Sequence, residues 1–230
     1  MASNSPRMGK IVLVLNEKGG CGKTTTTCNL AGTMGLRGFD VLVADLDPQQ
    51  TSANWLARAD GANFRATIWP GFRYREKINA ELEKLCAKYD IIVVDCPPSV
   101  ENPATWAVLM VADLVLIPTK LGPADIDAVP AAKNLVKKAQ EKAGRDYPVR
   151  VLPVATRFHM ADDKAALQSL ARDKQFPCLP IFLGDRKAFT RAMLVGATAH
   201  SIRHGEEAVR ELEALTDTAL KLLGLPSKHR

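Results

Sequence analysis

The chain has 230 residues, of which 47% are apolar and 24% are charged, and its formal net charge is +6. This composition is that of an ordinary globular protein and excludes a mostly disordered chain. The positive charge is too small to identify a nucleic-acid-binding protein, but it makes a polyanionic partner worth testing.

The cysteine count and the hydropathy pattern exclude further classes. Five cysteines are present without a Cys-x-x-Cys pair, so we expect neither a disulfide framework nor a structural zinc site. The N-terminal residues lack the apolar run of a signal peptide, and no uncharged apolar stretch approaches the roughly 18 residues of a membrane helix. We therefore expect a soluble cytoplasmic protein that does not bind a membrane.

Apolar runs of strand length alternate with segments of helical periodicity. The predicted strands cover residues 11–15, 41–44, 91–94, 114–117, 149–154 and, more weakly, 179–183. The predicted helices cover residues 24–37, 74–88, 102–111, 124–143, 161–174, 186–195 and 206–223. Continuous β-branched runs are typical of strands buried on both faces of a parallel sheet. The alternation predicts an α/β fold, a doubly wound and mostly parallel sheet flanked by helices.

Local signals refine this outline. Gly38 is expected to form a left-handed cap after the first long helix, and Pro130 is expected to kink or split the 124–143 segment. Residues 60–73 have no clear period and predict a loop with at most one short strand. Because no linker or repeat is visible, we expect one domain over residues 1–230, with a flexible start at 1–9 and a polar tail at 225–230.

A glycine-rich segment lies between the first predicted strand and the first long helix. It reads Glu17-Lys18-Gly19-Gly20-Cys21-Gly22-Lys23-Thr24-Thr25. Glycines let backbone N–H groups turn toward an anion, and the helix N-terminus adds positive potential, so the segment predicts a phosphate-binding loop. Lys23 is expected to reach the β- and γ-phosphates, Thr24 to place its hydroxyl on Mg²⁺, and Thr25 to bond the α-phosphate.

The loop departs from the strict G-x-x-x-x-G-K-[ST] pattern, because Glu17 stands where the first glycine belongs. A second lysine, Lys18, opens the loop instead. A lysine at this place is expected to point across the loop mouth, toward a nucleotide held by a facing subunit. The alternative interpretation is a glycine turn with two solvated lysines.

Two acidic segments follow predicted strands and complete the expected site. In Asp45-Leu46-Asp47-Pro48-Gln49, Asp47 is expected to orient a water for attack on the γ-phosphate and to contribute to the metal site. Asp45 is expected to support Mg²⁺ or the nucleotide loop. For both carboxylates the alternative is capping of a short helix over residues 51–58. Asp95 ends an apolar run typical of a Walker-B strand, so we expect it to hold a Mg²⁺-bound water.

The motifs KGGCGKTTT, DLDPQ and IIVVDCPPS together resemble those of the ParA/MinD family of deviant-Walker ATPases, and the resemblance extends over most of the chain. It implies that ATP and Mg²⁺ are bound between two subunits, with Lys18 acting in trans, Lys23 in cis, and Asp47 needed for hydrolysis. It also implies adenine contacts near Thr156-Arg157-Phe158 and near Pro180-Ile181.

Other features favour one branch of that family. Residues 206–223 are amphipathic but lack the aromatic residues and lysine-rich face of a membrane anchor, so we expect packing on the sheet. The cysteines lack the placement of an iron–sulfur reductase. Only ten residues precede the first strand, which disfavours an N-terminal helix-turn-helix. A membrane-surface ATPase of the septum-positioning kind and a metabolic or electron-transfer ATPase remain alternatives.

Two basic runs are candidate DNA contacts, and a solvated helix face is the alternative for each. The first contains Lys133, Lys137, Lys138, Lys142, Arg145 and Arg150. The second is favoured, because the resemblance places DNA contacts in the C-terminal third, and it contains Arg186, Lys187, Arg191, Arg203 and Arg210. The resemblance implies a slow, nucleoid-associated ATPase that forms an ATP-dependent homodimer, binds double-stranded DNA non-specifically and responds to a cargo-bound, ParB-like activator. The cargo, whether plasmid, chromosome region or protein assembly, stays open.

Overall fold

A computed structural model of the protein describes residues 9–59, 64–99, 102–156 and 161–227. Within these residues, parallel strands form one seven-stranded sheet in the order β3-β2-β4-β1-β5-β6-β7. The strands are β1 (Lys10–Val14), β2 (Val41–Asp45), β3 (Thr67–Pro70), β4 (Ile91–Asp95), β5 (Leu114–Thr119), β6 (Val149–Thr156) and β7 (Leu183–Gly184). The predicted fold class is confirmed.

Helices connect the strands and pack on both faces of the sheet. They are α1 (Lys23–Leu36), α2 (Thr51–Leu56), α3 (Ile78–Leu85), α4 (Pro103–Leu109), α5 (Pro123–Ile126), α6 (Val129–Ala143), α7 (Ala161–Ala171), α8 (Lys187–Val195) and α9 (Glu206–Leu222). Short 3-10 helices lie at Phe72–Lys77 and Ala199–Ser201. Among the described residues, no helix combines the length and apolarity needed to span a bilayer.

The central strands are buried on both faces, which explains their continuous apolar sequence. In β1, Val12 and Val14 pack into a core with α1, α8 and α9. The alternate residues Ile11 and Leu13 pack into a second core with α3, α4 and α6. Successive strand residues point to opposite faces of a sheet, so helices on both sides require apolar residues at every position.

Several local predictions are confirmed. Gly38 has a φ of +86°, as a left-handed cap after α1 requires. The segment with Pro130 is split into α5 and α6, and the proline lies in the first turn of α6, where its missing N–H costs no helical hydrogen bond. One short strand, β3, lies in the stretch predicted as a loop with at most one strand.

Three local predictions were wrong in part. The helix predicted over residues 74–88 is interrupted at Arg75, where φ is +45°, and α3 begins only at Ile78. The strand predicted over residues 179–183 is reduced to β7, because Pro180 has no N–H to donate to β6. Gly9, predicted to be flexible, is buried, and its N–H donates to the Cys86 carbonyl at 2.9 Å.

Candidate nucleotide site at the carboxyl end of the sheet

The glycine-rich loop joins the carboxyl end of β1 to the first turn of α1. Gly20 and Gly22 have φ values of +69° and +87°, a conformation that residues with a side chain rarely adopt. Gly22 is the N-cap of α1, so the amides of the first helical turn open into the loop. Gly19 and Gly20 are exposed, and a Cβ on either would meet no atom within 4 Å. The loop therefore has open space where an anion can approach its backbone.

Lys23 is held inside this loop. Lys23 is only 7% exposed, and its Nζ donates to the carbonyl oxygen of Lys18 at 2.9 Å. Nζ also lies 3.8 Å from Cys21 Sγ, and Cys21 is buried. The ammonium is thus held across the loop, and its predicted cis role stays a prediction.

Lys18 is placed differently. Its Nζ lies 3.0 Å from Asp125 Oδ1, and its side chain is 36% exposed. Asp125 belongs to α5, the short helix after β5. The lysine predicted to act in trans is therefore paired within its own chain, and Asp125 is a partner that the sequence analysis missed.

Asp95 lies at the end of β4 and is almost completely buried. Its Oδ2 accepts hydrogen bonds from Thr24 Oγ1 at 2.8 Å and from Ser52 Oγ at 2.6 Å. Its Oδ1 is buried and has no hydrogen-bond partner among the described residues. Burial raises the pKa of Asp95 to about 7, although the hydrogen bonds from Ser52 and Thr24 lower it.

These groups fit a magnesium ion. Mg²⁺ prefers oxygen ligands and is usually held by one or two protein groups together with waters and substrate phosphates. The Thr24 hydroxyl and the unpartnered Oδ1 of Asp95 supply such oxygens beside the phosphate loop. Within the described ranges no group of three or more His, Cys, Asp or Glu side chains could hold a metal. The donors therefore suit an ion that is shared with a nucleotide.

Asp45 contacts the backbone of the segment that leads into α2. It is fully buried, its Oδ1 accepts from the Asp47 N–H at 3.0 Å, and its Oδ2 accepts from the Ala53 N–H at 2.9 Å. Burial raises the pKa of Asp45, and the two backbone hydrogen bonds oppose that shift. Because both carboxylate oxygens accept from backbone amides, Asp45 fixes the loop before α2. This arrangement resembles the capping alternative, and the predicted support of Mg²⁺ stays a prediction.

Asp47 lies on that same loop, half-buried. Its Oδ1 accepts from the Gln49 N–H at 2.9 Å, which closes an Asx turn. Gln50 follows with a φ of +54° and is the N-cap of α2. The loop thus holds Asp47 at the carboxyl end of β2, and its catalytic and metal-binding roles stay predictions.

A cavity of about 200 Å³ lies beside the glycine-rich loop. It is lined by Gly20, Gly22, Thr25, Thr26, Lys120, Val154, Ala155, Leu183, Gly184, Asp185, Arg186, Phe189 and Thr190. Pro180 and Ile181 do not line it, because they precede β7, and Ile181 packs against the core. The adenine contacts predicted at Pro180 and Ile181 therefore lie outside this cavity and stay a prediction. Arg157 and Phe158 lie outside the described residues.

The favoured basic run divides into paired and exposed residues. Arg186 Nη2 lies 2.8 Å from Glu211 Oε1, and Arg186 also pairs with Glu207. These contacts, chiefly the hydrogen bond to Glu211, raise the pKa of Arg186. Its guanidinium is occupied within the chain, so the predicted DNA contact is not supported for Arg186.

The remaining members of that run are exposed. Lys187 and Arg191 lie on α8, and Arg203 follows the second 3-10 helix. The Arg210 side chain is 74% exposed and lies 4.0 Å from Glu207. In the first run, Lys133 pairs with Asp173 at 2.7 Å and Arg145 with Asp113 at 3.3 Å. Lys187, Arg191 and Arg203 are therefore the best placed of the predicted DNA contacts.

Comparison with known proteins agrees with this geometry. The CobQ/CobB/MinD/ParA nucleotide binding domain matches residues 12–223. The chain belongs to this family. It is 33% identical to maintenance of carboxysome distribution protein A of Gloeobacter kilaueensis over 216 residues, which cover 93% of this chain and 92% of that protein. The recognition made from the KGGCGKTTT, DLDPQ and IIVVDCPPS motifs is confirmed.

Solved structures share the fold. An ATP complex of a Cyanothece McdA variant has a TM-score of 0.80 at 19% identity, covering 97% of this chain and 99% of that one. The Pyrococcus furiosus cell division ATPase MinD has a TM-score of 0.75 at 20% identity, covering 94% and 100%. Identities this low support the shared architecture alone.

Proposed function

We propose that this protein is a ParA-like ATPase that hydrolyses ATP slowly, forms a homodimer when ATP is bound, and positions a cargo by binding DNA non-specifically. One observation carries the proposal: the loop has two lysines with separate environments. Lys23 is buried inside its own loop, whereas Lys18 lies at the mouth and is partly exposed. The relationship to a carboxysome distribution protein over nearly the whole chain supports a positioning role.

In this proposal, the chain's own groups bind the phosphates and orient the attacking water. The backbone of residues 19–25 binds the phosphates, and Lys23 neutralises their charge. Thr24 and Asp95 would hold Mg²⁺, which, when bound, adds further positive charge at the phosphates. Asp47 would orient the attacking water. Catalysis of this kind depends on positioning and charge neutralisation, so slow turnover suits a switch that a ParB-like, cargo-bound activator triggers.

Dimerisation would require Lys18 to leave Asp125 and reach the nucleotide of the facing subunit. An ion pair that is about one-third exposed on the lysine side contributes little stability, so a nucleotide phosphate can compete for the lysine. The pair therefore suits a resting state from which ATP recruits Lys18.

DNA binding would use exposed cations such as Lys187, Arg191 and Arg203. Contacts from exposed lysine and arginine to phosphates carry no sequence information and weaken steeply with salt. Such binding would place the cytoplasmic protein on the nucleoid. The apolar residues of α9 that a membrane anchor would need are buried against the core instead, among them Leu212, Leu215 and Leu220.

The test is binding of the Asp47→Ala protein, with ATP and Mg²⁺, to random-sequence duplex DNA and to anionic liposomes across a salt series. The liposome arm is included because Leu194 and Val195, at the end of α8, are 68% and 54% exposed. ATP-dependent, salt-sensitive binding to DNA alone is the expected result, and Lys23→Ala serves as the control without nucleotide. Binding to liposomes alone, or to neither, would contradict the proposal.

A further inference from the structure

Helix α2 is attached to the carboxyl ends of two neighbouring strands. Asp45 of β2 and Asp95 of β4 are direct register partners in the sheet. The Ala53 N–H at the start of α2 donates to Asp45, while the hydroxyl of the preceding residue, Ser52, donates to Asp95. Two consecutive residues of one helix thus contact two buried carboxylates on adjacent strands.

The contact from Ser52 determines which oxygen of Asp95 stays free. Ser52 and Thr24 both donate to Oδ2, so two hydrogen bonds hold the carboxylate through one oxygen. The other oxygen, Oδ1, is buried without a partner in the described part of the chain. A buried carboxylate oxygen without a partner is costly, which indicates that a ligand completes it.

The contact of α2 with the segment after α8 fixes the position of Ser52. Trp55, one turn along, is completely buried, and its Nε1 donates to the Ala197 carbonyl oxygen at 3.0 Å. Ser52 is itself completely buried. The helix is therefore held between the sheet and the segment after α8, and the Ser52 hydroxyl is presented to Asp95 by the fold.

We propose that Ser52 is a positioning residue of the magnesium site, whose hydroxyl fixes the Asp95 carboxylate through Oδ2 and so leaves Oδ1 available to a bound ion. It also connects that carboxylate to the helix that follows the Asp47 loop. Partners of this kind orient metal-binding groups, and their loss typically lowers metal affinity or activity about 10- to 100-fold. The inference rests on the nucleotide site of the proposed function and is independent of its DNA and cargo steps.

The test compares ATP affinity in Mg²⁺ with ATP affinity in EDTA, using a fluorescent ATP analogue and the full chain. In Ser52→Ala, the gain in affinity that Mg²⁺ provides should fall roughly tenfold, while the affinity in EDTA changes less than about twofold. Thermal unfolding should show the same difference. In Ser52→Ala, nucleotide in EDTA should raise Tm as much as in the wild type, and the further rise in Tm caused by Mg²⁺ should be smaller.

Cys28→Ala is the matched control. Cys28 Sγ donates a hydrogen bond to Ser52 Oγ at 3.6 Å in the same buried region, so Cys28→Ala removes a neighbour of Ser52 and leaves the Ser52 hydroxyl on Asp95. It should keep the wild-type gain from Mg²⁺. The proposal is overturned if Ser52→Ala keeps the full gain, if Cys28→Ala loses as much, or if Ser52→Ala weakens binding equally in Mg²⁺ and EDTA. Because the assay measures nucleotide binding without DNA, its result does not depend on whether the protein binds DNA.

Discussion

The nucleotide edge of the sheet and the C-terminal region use charge in opposite ways. At the nucleotide edge, Lys23 donates to a backbone carbonyl oxygen rather than to a carboxylate, and Asp95 keeps an oxygen without a partner among the described residues. In the C-terminal region, Arg37 pairs with Glu213 and Asp217 of α9. Charges that satisfy one another stabilise the fold, whereas polar groups that converge without partners indicate a binding site. A run of basic residues in the sequence does not distinguish the two cases.

The largest effect is expected at the nucleotide edge. Lys23→Ala removes the buried ammonium of the loop, and nucleotide affinity should fall by about 100-fold or more, the equivalent of roughly 3 kcal/mol. Isothermal titration with ATP and Mg²⁺ measures it. Lys187→Ala, on the exposed surface of α8, should keep wild-type affinity. Normal ATP binding by Lys23→Ala would show that the nucleotide is not bound at this loop.

The next effect tests the paired region. The Arg37 side chain is 4% exposed, and Nε donates to Glu213 at 2.9 Å. Arg37→Met should lower stability by roughly 2 kcal/mol, or about 4–8 °C in Tm, because Glu213 and Asp217 lose their buried partner. Arg210→Met, at an arginine with a 74% exposed side chain, should change Tm little. An equal effect of both variants would contradict the comparison.

The Arg37 contribution should depend on pH in acid. Burial raises the pKa of Glu213, but the hydrogen bonds from Arg37 and His200 outweigh it, so the folded pKa lies below the ordinary 4.5. A lowered carboxyl pKa stabilises the folded state above the unfolded pKa and stops doing so as the pH falls through the folded value. The difference in Tm between wild type and Arg37→Met should therefore shrink below about pH 4.

Asp95→Asn should raise the stability of the folded protein, whereas Arg37→Met lowers it. Burial raises the folded pKa of Asp95 to about 7, against 3.8 for the ordinary carboxyl. Between these values the folded state binds the extra proton, so this residue destabilises the nucleotide-free protein increasingly as pH rises to 7. Asp95→Asn should raise Tm by several degrees at pH 8 in EDTA, and the gain should vanish near pH 4. The exposed Asp146→Asn should show no such trend.

DNA binding separates exposed from paired cations. Lys187→Ala with Arg191→Ala should lower DNA affinity about tenfold and reduce the slope of log affinity against log salt by about two. The matched pair is Lys137→Ala with Lys138→Ala, exposed lysines of the first basic run, which should bind DNA as wild type does. If only the variant with Lys137→Ala and Lys138→Ala loses DNA affinity, the DNA-binding surface lies on α6 instead.

The smallest effect concerns the pairing of Lys18. Asp125→Asn removes its partner at 3.0 Å, and half-maximal dimerisation should need two- to fivefold less ATP, because a partly exposed ion pair contributes at most about 1 kcal/mol. Analytical ultracentrifugation measures the dimer. Asp127→Asn, two residues along and exposed, is the control. Unchanged or weaker dimerisation in Asp125→Asn would show that this pair does not restrain Lys18.

The sequence by itself determined the parts of this protein that depend on neighbouring residues. The glycine loop, Lys23 and Thr24 lie within one short segment, and a strand–loop–helix with that spacing already specifies how the backbone meets a phosphate. The central strands were predictable for a similar reason, because burial on both faces requires an unbroken apolar run. Asp95 was found because it ends such a run.

Tertiary structure alone decided how distant residues are paired. Ser52 meets Asp95 only because β2 and β4 are adjacent in the sheet. Lys18 meets Asp125 only because β1 and β5 are neighbours whose following loops face each other. Arg186 was predicted to contact DNA, yet α9 places Glu207 and Glu211 beside it. Charge and residue type are properties of the sequence, but whether a charge is free for a ligand depends on which surfaces the fold brings together.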